Sequence, residues 1–409
     1  MTEDSGAVEP EPRVRAGPPA DRLRSVALAR RWMNRGGAAF VKLLDQRGEA
    51  NRRLTVGFGI LVGAACFLDI PGLIRAFPAG VDLEIPLRAA AHWASGAQAY
   101  PPSAMLVKNG PDLPYLYPPF LLPLLTPIAA LPRAAVTDVW LIFCFVCAVW
   151  TCCRLAIPWP AIPFVLAWPP FAEGLITGNV QILSFAVFVA LLYDPSDGVL
   201  RTRVLAPGQD PLNGLLAGAV GALKVAQLLP VLYLARRRLR AALFDVGALA
   251  GVVIATLPLT GISIYGDWLA QVQRAADPSW VAVGASLGRT FTIPDVFPAA
   301  LGVVMALSVR GRNSGAWLGV ALLIAAPSIH GYTYLFLLPG LLTIRRDISI
   351  PVAAVFLGIY NVYAWWLPGL LTVGFMLASN RWHWLRLVDR NSDRRPSRGS
   401  AGLPDSLSS

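Results

Sequence analysis

Val246-Gly247-Ala248-Leu249-Ala250-Gly251-Val252-Val253-Ile254-Ala255-Thr256-Leu257-Pro258 runs for thirteen residues without a charged side chain. A transmembrane β-strand alternates apolar and polar residues with a period of two. This run does not alternate, and neither does Val56–Leu68, so both read as helices. Similar runs recur along almost the whole chain, each near the roughly 20 residues that a helix needs to span a bilayer. Of the 409 residues, 55% are hydrophobic and 14% are charged. A soluble domain carries about 25% charged residues. A chain this long with so little charge has too few polar groups to cover a water-facing surface, and lipid must cover it instead. The fold class expected is all-α, a polytopic membrane bundle of about 12 transmembrane helices.

Spans are expected at about 55–74, 117–131, 135–155, 160–174, 179–193, 213–235, 241–262, 296–309, 314–328, 331–344, 349–366 and 368–379. Residues 1–53 and 381–409 read as disordered basic cytoplasmic tails around a membrane domain of 54–380. No apolar stretch follows within the first 30 residues, so the N-terminal tail does not read as a signal peptide. With both tails inside, the inner connections hold Arg133, the run Arg236-Arg237-Arg238-Leu239-Arg240, Arg310 with Arg312, and Arg345 with Arg346. That bias follows the positive-inside rule. It also accounts for the net charge of +11 without nucleic acid. The outer connections include two long loops, 75–116 and 263–295. Long loops on one side of a bundle place the working site there.

Chemistry in such a protein has few carriers. Asp82 and Glu84 precede an amphipathic segment, Ile85–Tyr100, that reads as an interfacial helix. A carboxylate just outside the first membrane helix suits a general base; a helix cap or a solvated charge is the plainer alternative. In a helix, residues two apart point about 200° from each other, which makes a metal shared by Asp82 and Glu84 awkward. Lys224 lies mid-span and must face the bundle interior, either toward a phosphate or toward an internal acid. His330 falls at the outer end of a span, as a substrate contact or as a buried helix-to-helix bond. Arg289 in the second long loop suits phosphate oxygens, or equally a lipid headgroup. Arg88 and His92 share one face of the first-loop helix. Cys144 and Cys147 form a C-x-x-C, but inside the apolar run Trp140–Trp150 they read as small hydrophobes. No metal site is expected.

Several short elements, in order, resemble glycosyltransferase family 87, the polyprenyl-phosphate-mannose-dependent mannosyltransferases with a membrane fold of GT-C type. They are Asp82 with the small residues up to Gly96 and Tyr100, then Tyr117-Pro118-Pro119-Phe120, then Gly178-Asn179-Val180-Gln181. Leu223-Lys224-Val225 with Pro230 and the following arginines comes next, and Pro327-Ser328-Ile329-His330 is last. The chain departs from the family pattern at Pro86, at Gly284-Ala285-Ser286-Leu287 and at Ile329. The resemblance implies Asp82 as the catalytic base. It implies His330, Arg289, Lys224, Glu84, Arg88, Tyr117, Asn179 and Gln181 as donor-phosphate or substrate contacts. It also implies an inverting transfer of mannose at the outer face of the plasma membrane, with no cofactor. The partners are then a polyprenyl-phosphate sugar and a glycolipid or lipid-linked glycan acceptor. Charge parity sets Asn179 and Gln181 against this, because it puts residues 175–178 on the cytoplasmic side. Two other classes fit the intramembrane charges: a transporter or flippase of a lipid-linked sugar, and a non-catalytic envelope scaffold. The transporter predicts an internal repeat, and none is evident.

Overall fold

A computed structural model of the protein describes residues 64, 66–68, 70–75, 78–101, 114–196, 199–202, 210–223, 229–275, 286–309, 314–326, 329, 331–339 and 342. Both tails, the two expected spans after residue 349, Lys224 and His330 lie outside these residues, as does the side chain of Arg289. The described chain is helical apart from one short hairpin.

Gly80 opens the first complete helix, α1 (Val81–Ala94), from a left-handed conformation at φ 73°. A Cβ there would meet the Thr137 side chain, so glycine is required twice over. Asp82 and Glu84 fill the first turn, where carboxylates favour the positive end of the helix dipole. Pro86 lies inside α1 and supplies no N–H for the Asp82 carbonyl.

Helix α2 (Leu121–Ala129) has nine residues, about 14 Å at 1.5 Å each, or half the hydrocarbon core of a bilayer. Pro132 follows, and α3 (Arg133–Arg154) begins. Arg133 then reaches back to α1. Its Nη2 donates to the Leu87 carbonyl at 3.3 Å, and its Nη1 lies 4.0 Å from Glu84 Oε2. Tyr117, just before α2, feels the charge of Asp82. Both ends of α2 therefore lie against the first two turns of α1. The expected crossing at 117–131 is corrected to a turn that stays on one side, and Arg133 is not at the end expected for it.

The 22 residues of α3 extend about 33 Å. Its buried face is Cys144, Ala148, Thr151 and Cys152, while Val139, Ile142, Phe143, Phe145 and Val146 are exposed. Small residues inside and large apolar ones outside are the pattern of a helix that packs in lipid. A 3₁₀ turn (Trp159–Ala161), α4 (Ile162–Leu166) and α5 (Pro169–Thr177) bring the chain back. The Gly80 N–H bonds the Ile176 carbonyl at 2.8 Å. Gly178, at φ 67°, ends α5, with the Asn179 N–H on the Gly174 carbonyl at 2.9 Å. Residues 175–178 thus lie beside α1, not at the opposite, arginine-rich end where charge parity had put them.

Helix α6 (Gln181–Leu192) is buried on nearly every side. It leads into the antiparallel pair β1 (Tyr193–Ser196) and β2 (Val199–Thr202), with Tyr193 opposite Thr202. The expected span 213–235 is two helices, α7 (Asp210–Leu223) and α8 (Leu229–Arg237). Both outer ends of this pair reach the start of α9 (Leu239–Thr260). Gly214 touches the Ala241 carbonyl, Gly218 touches Asp245, and α8 runs straight into Arg238. The four-residue spacing of glycines allows this close approach.

The remaining elements are α10 (Ser263–Ala275), the short turn α11 (Leu287–Thr290), α12 (Val296–Ser308), α13 (Ser314–Ala325) and a 3₁₀ helix, Gly331–Leu337. Gly302 of α12 packs on Ala321 and Ala325 of α13, and Gly319 on the Phe336 carbonyl. Phe171, Phe185, Phe336 and Phe188 form a chain of edge-on rings through the core, 5.0–5.8 Å apart. Two described helices, α3 and α9, are long and apolar enough to cross a membrane. With their exposed apolar faces they make the protein membrane-associated. The bundle has two ends. One holds α1, residues 176–181 and Gly331–Tyr332. The other holds Tyr193, whose ring lies against Gly315, and Tyr233, 3.0 Å from Ser314.

Candidate active site

Asp82 stands at the end of the bundle where four segments meet. Asn179 Nδ2 donates to Asp82 Oδ2 at 2.7 Å, across 97 residues of sequence. The amide has one orientation, because its Oδ1 accepts the Gln181 backbone N–H at 2.8 Å. Asn179 and Gln181 are 2% and 3% exposed. The Schellman turn at Gly178 is what aims Asn179 at α1. Trp140 fixes that turn from below, donating Nε1–H to the Gly178 carbonyl at 2.7 Å. Asp82 itself is half-buried. Its Oδ1 accepts no hydrogen bond among the described residues.

Tyr117 flanks the carboxylate. Burial, and then the negative charge of Asp82, push its hydroxyl well above the ordinary tyrosine range. Tyr117 is held from behind: Tyr100 Oη donates to its carbonyl at 2.8 Å, and the Tyr115 ring sits 5.3 Å from Tyr100 and 5.7 Å from Tyr117. Trp268 of α10 donates Nε1–H to the Leu116 carbonyl at 3.0 Å, so α10 packs against this tyrosine segment. Tyr332 completes the ring of groups. It bonds the Asn179 amide and lies within electrostatic reach of Asp82, Glu173 and Tyr117.

Tyr332 and Glu173 were not singled out in the sequence. Glu173 did carry a signal. It is the only charged residue between Arg154 and Asp194, in an apolar segment, and such a residue is a functional hypothesis by default. It is 5% exposed.

The other expected residues divide. Glu84 points away from Asp82, as two-residue spacing in a helix dictates, and faces Arg133. Arg88 lies one turn further along that same outer face of α1. Gln181 serves through its backbone N–H. The Arg289 backbone sits in α11, a turn closed by Ser286 Oγ donating to Asp295 Oδ1 at 2.6 Å. His330 immediately precedes Gly331, whose Cα abuts the Glu173 carboxylate.

A carboxylate anchored through one oxygen at the end of an apolar bundle can take a proton from a hydroxyl brought there by a lipid-borne substrate. The sequence model of glycosyltransferase family 87 matches residues 115–338, more than half of the chain. No curated protein and no solved structure matches.

Proposed function

Since this chain belongs to glycosyltransferase family 87, we propose that it moves a mannosyl unit from polyprenyl-phosphate-mannose to an extracytoplasmic glycolipid or lipid-linked glycan. Asp82 takes the proton of the acceptor hydroxyl through Oδ1. The acceptor oxygen forms its bond to the anomeric carbon as the bond from that carbon to the phosphate oxygen breaks. Polyprenyl phosphate leaves, and the configuration inverts from β to α. Arg289, Lys224 and His330 are the cations proposed to meet the departing phosphate. The observation that carries this proposal is the Asn179–Asp82 bond, which anchors one carboxylate oxygen, while the other accepts no hydrogen bond among the described residues.

The Asp82 end is the outer face in this proposal. The opposite end gathers Arg154, Arg201 and the arginines from Arg236 to Arg240, as a cytoplasmic face should. A donor with its phosphate at the outer interface and its tail in lipid needs no nucleotide-binding fold, in keeping with the lack of a phosphate-binding glycine loop.

The test supplies radiolabelled polyprenyl-phosphate-mannose and a native lipid extract to membranes carrying the wild-type protein or Asp82→Asn. Label should pass to new glycolipids with the wild type, and the variant should lose on the order of 10²–10⁴ in rate. Equal transfer by both would remove Asp82 from the chemistry. No transfer by either would overturn the donor.

A further inference from the structure

Taking Asp82 as the base, we propose that Glu173 and Tyr332 form a buried brace that fixes Asn179, and through it the Asp82 carboxylate. Glu173 and Tyr332 are positioning residues in this scheme, since neither touches the reacting atoms.

Glu173 has one place to be. It projects from α5, is 5% exposed, and its Oε2 occupies the space where a Cβ on residue 331 would stand. Gly331 is therefore the residue that lets a carboxylate enter the site from below. The next residue is Tyr332, whose Cβ lies 3.5 Å from where a Cβ of Gly174 would be, so the two segments are in van der Waals contact. Tyr332 lies within electrostatic reach of the Glu173 carboxylate on one side and bonds the Asn179 amide on the other. Asn179 has two N–H groups. One goes to Asp82 Oδ2 at 2.7 Å and the amide oxygen is taken by the Gln181 N–H, while Tyr332 interacts with the amide. Asn179 is thus held through both its nitrogen and its oxygen, with Tyr332 beside it.

The energetics favour a role for this arrangement. A buried charge in an apolar segment costs several kcal/mol unless it is partnered. A stability role alone would be met as well by an apolar side chain of similar size. A carboxylate anchored by a glycine gap and aimed at a tyrosine is suited to hold a hydrogen-bonded chain in one geometry. Among the described residues, Asp82 on α1 and Tyr117 from the segment before α2 act on Tyr332, with Glu84 turned away toward Arg133.

Two measurements on the full-length protein test the brace. The first determines structures of the wild type and of Glu173→Gln, which keeps the volume and removes the charge. The expected result is an Asn179–Asp82 separation lengthened beyond hydrogen-bond range, about 3.5 Å. A separation unchanged at 2.7 Å overturns the inference whatever the substrate is. The second measures transfer of radiolabelled mannose from polyprenyl-phosphate-mannose by Glu173→Gln, Tyr332→Phe and the double variant. Each single change should lower kcat by roughly 10–100-fold and leave KM within about threefold, and the double should cost no more than the larger single. Losses that multiply, or that fall on KM, overturn the brace while leaving Asp82 as base. Retained transfer by Asp82→Asn overturns the base instead and leaves the structural result standing.

Discussion

The two ends of the bundle hold their polar groups in opposite ways. At the α1 end, Asn179, Gln181 and Glu173 are almost fully buried, and Asn179 is committed to named partners. At the opposite end, Arg236 and Arg240 are exposed and Tyr233 pairs with Ser314, while Asp245 in the second turn of α9 is buried with its Oδ2 unbonded among the described residues. Burying polar groups is unfavourable unless they are bonded. The α1 end meets that cost with a bond between distant segments, Asn179 to Asp82, whereas Asp245 Oδ2 has no such bond among the described residues. Burial of a carboxylate therefore does not by itself distinguish the two ends; the bonded Asn179–Asp82 pair does.

The sharpest way to break this comparison is to label the two ends separately. In a background without the five native cysteines, single cysteines at Ser95, Ala130, Trp159 and Arg236 would be exposed to a membrane-impermeant maleimide on intact cells. All four positions are exposed in the structure. Ser95 and Ala130 should react from outside, and Trp159 and Arg236 only after the cells are opened. The effect is all-or-none. If Ala130 instead reacts with Arg236, then α2 crosses the membrane and the two ends have been drawn wrongly.

The sequence made the long elements legible and concealed the short ones. The expected 135–155 and 241–262 became α3 and α9 with ends shifted by about two residues, because long, nearly uncharged apolar runs leave a helix few alternatives. Helices α12 and α13 were equally plain. The failures were 117–131 and 213–235. Apolar content cannot tell one crossing from a half-length helix, or from two helices folded back on each other. The contacts of the helix ends decide that, Arg133 with Leu87 for α2 and Gly214 with Ala241 for α7. Asp82 was found as an acid beside the first span. Asn179 was named but set aside, since an error of one crossing moved it to the wrong end. Tyr332 gave no sign of its own, because a tyrosine at a helix end ordinarily serves the interface.

A second prediction sharpens the contrast at the α1 end itself. Asn179→Ala removes a hydrogen bond to a charged group, worth about 1.5–3 kcal/mol, and leaves the Asp82 carboxylate in place. In the mannosyl-transfer assay kcat should fall by roughly 10–100-fold, a smaller loss than for Asp82→Asn. Asn179→Asp should be worse than alanine, since it sets a second carboxylate 2.7 Å from the first. The control is Arg236→Ala at the opposite end, which should stay within about twofold of wild type. An alanine at 179 that transfers at the wild-type rate would mean that the bond shapes the fold and not the base.

The smallest effect is expected at Glu84, and its smallness is informative. Glu84 is only two residues from Asp82 and was named with it. Yet the Glu84 and Arg133 side chains are 43% and 36% exposed, and their nearest charged atoms are 4.0 Å apart. Arg133 Nη1 makes no hydrogen bond among the described residues. A pair this open and this loose contributes about 0–1 kcal/mol. Glu84→Gln should therefore change kcat by less than about twofold and move the thermal unfolding of the purified protein by no more than a few degrees. A loss comparable to that of Asp82→Asn would require both carboxylates to act on one substrate. In a helix that runs unbroken from Val81 to Ala94, two side chains pointing about 200° apart cannot do so without unwinding its first turn.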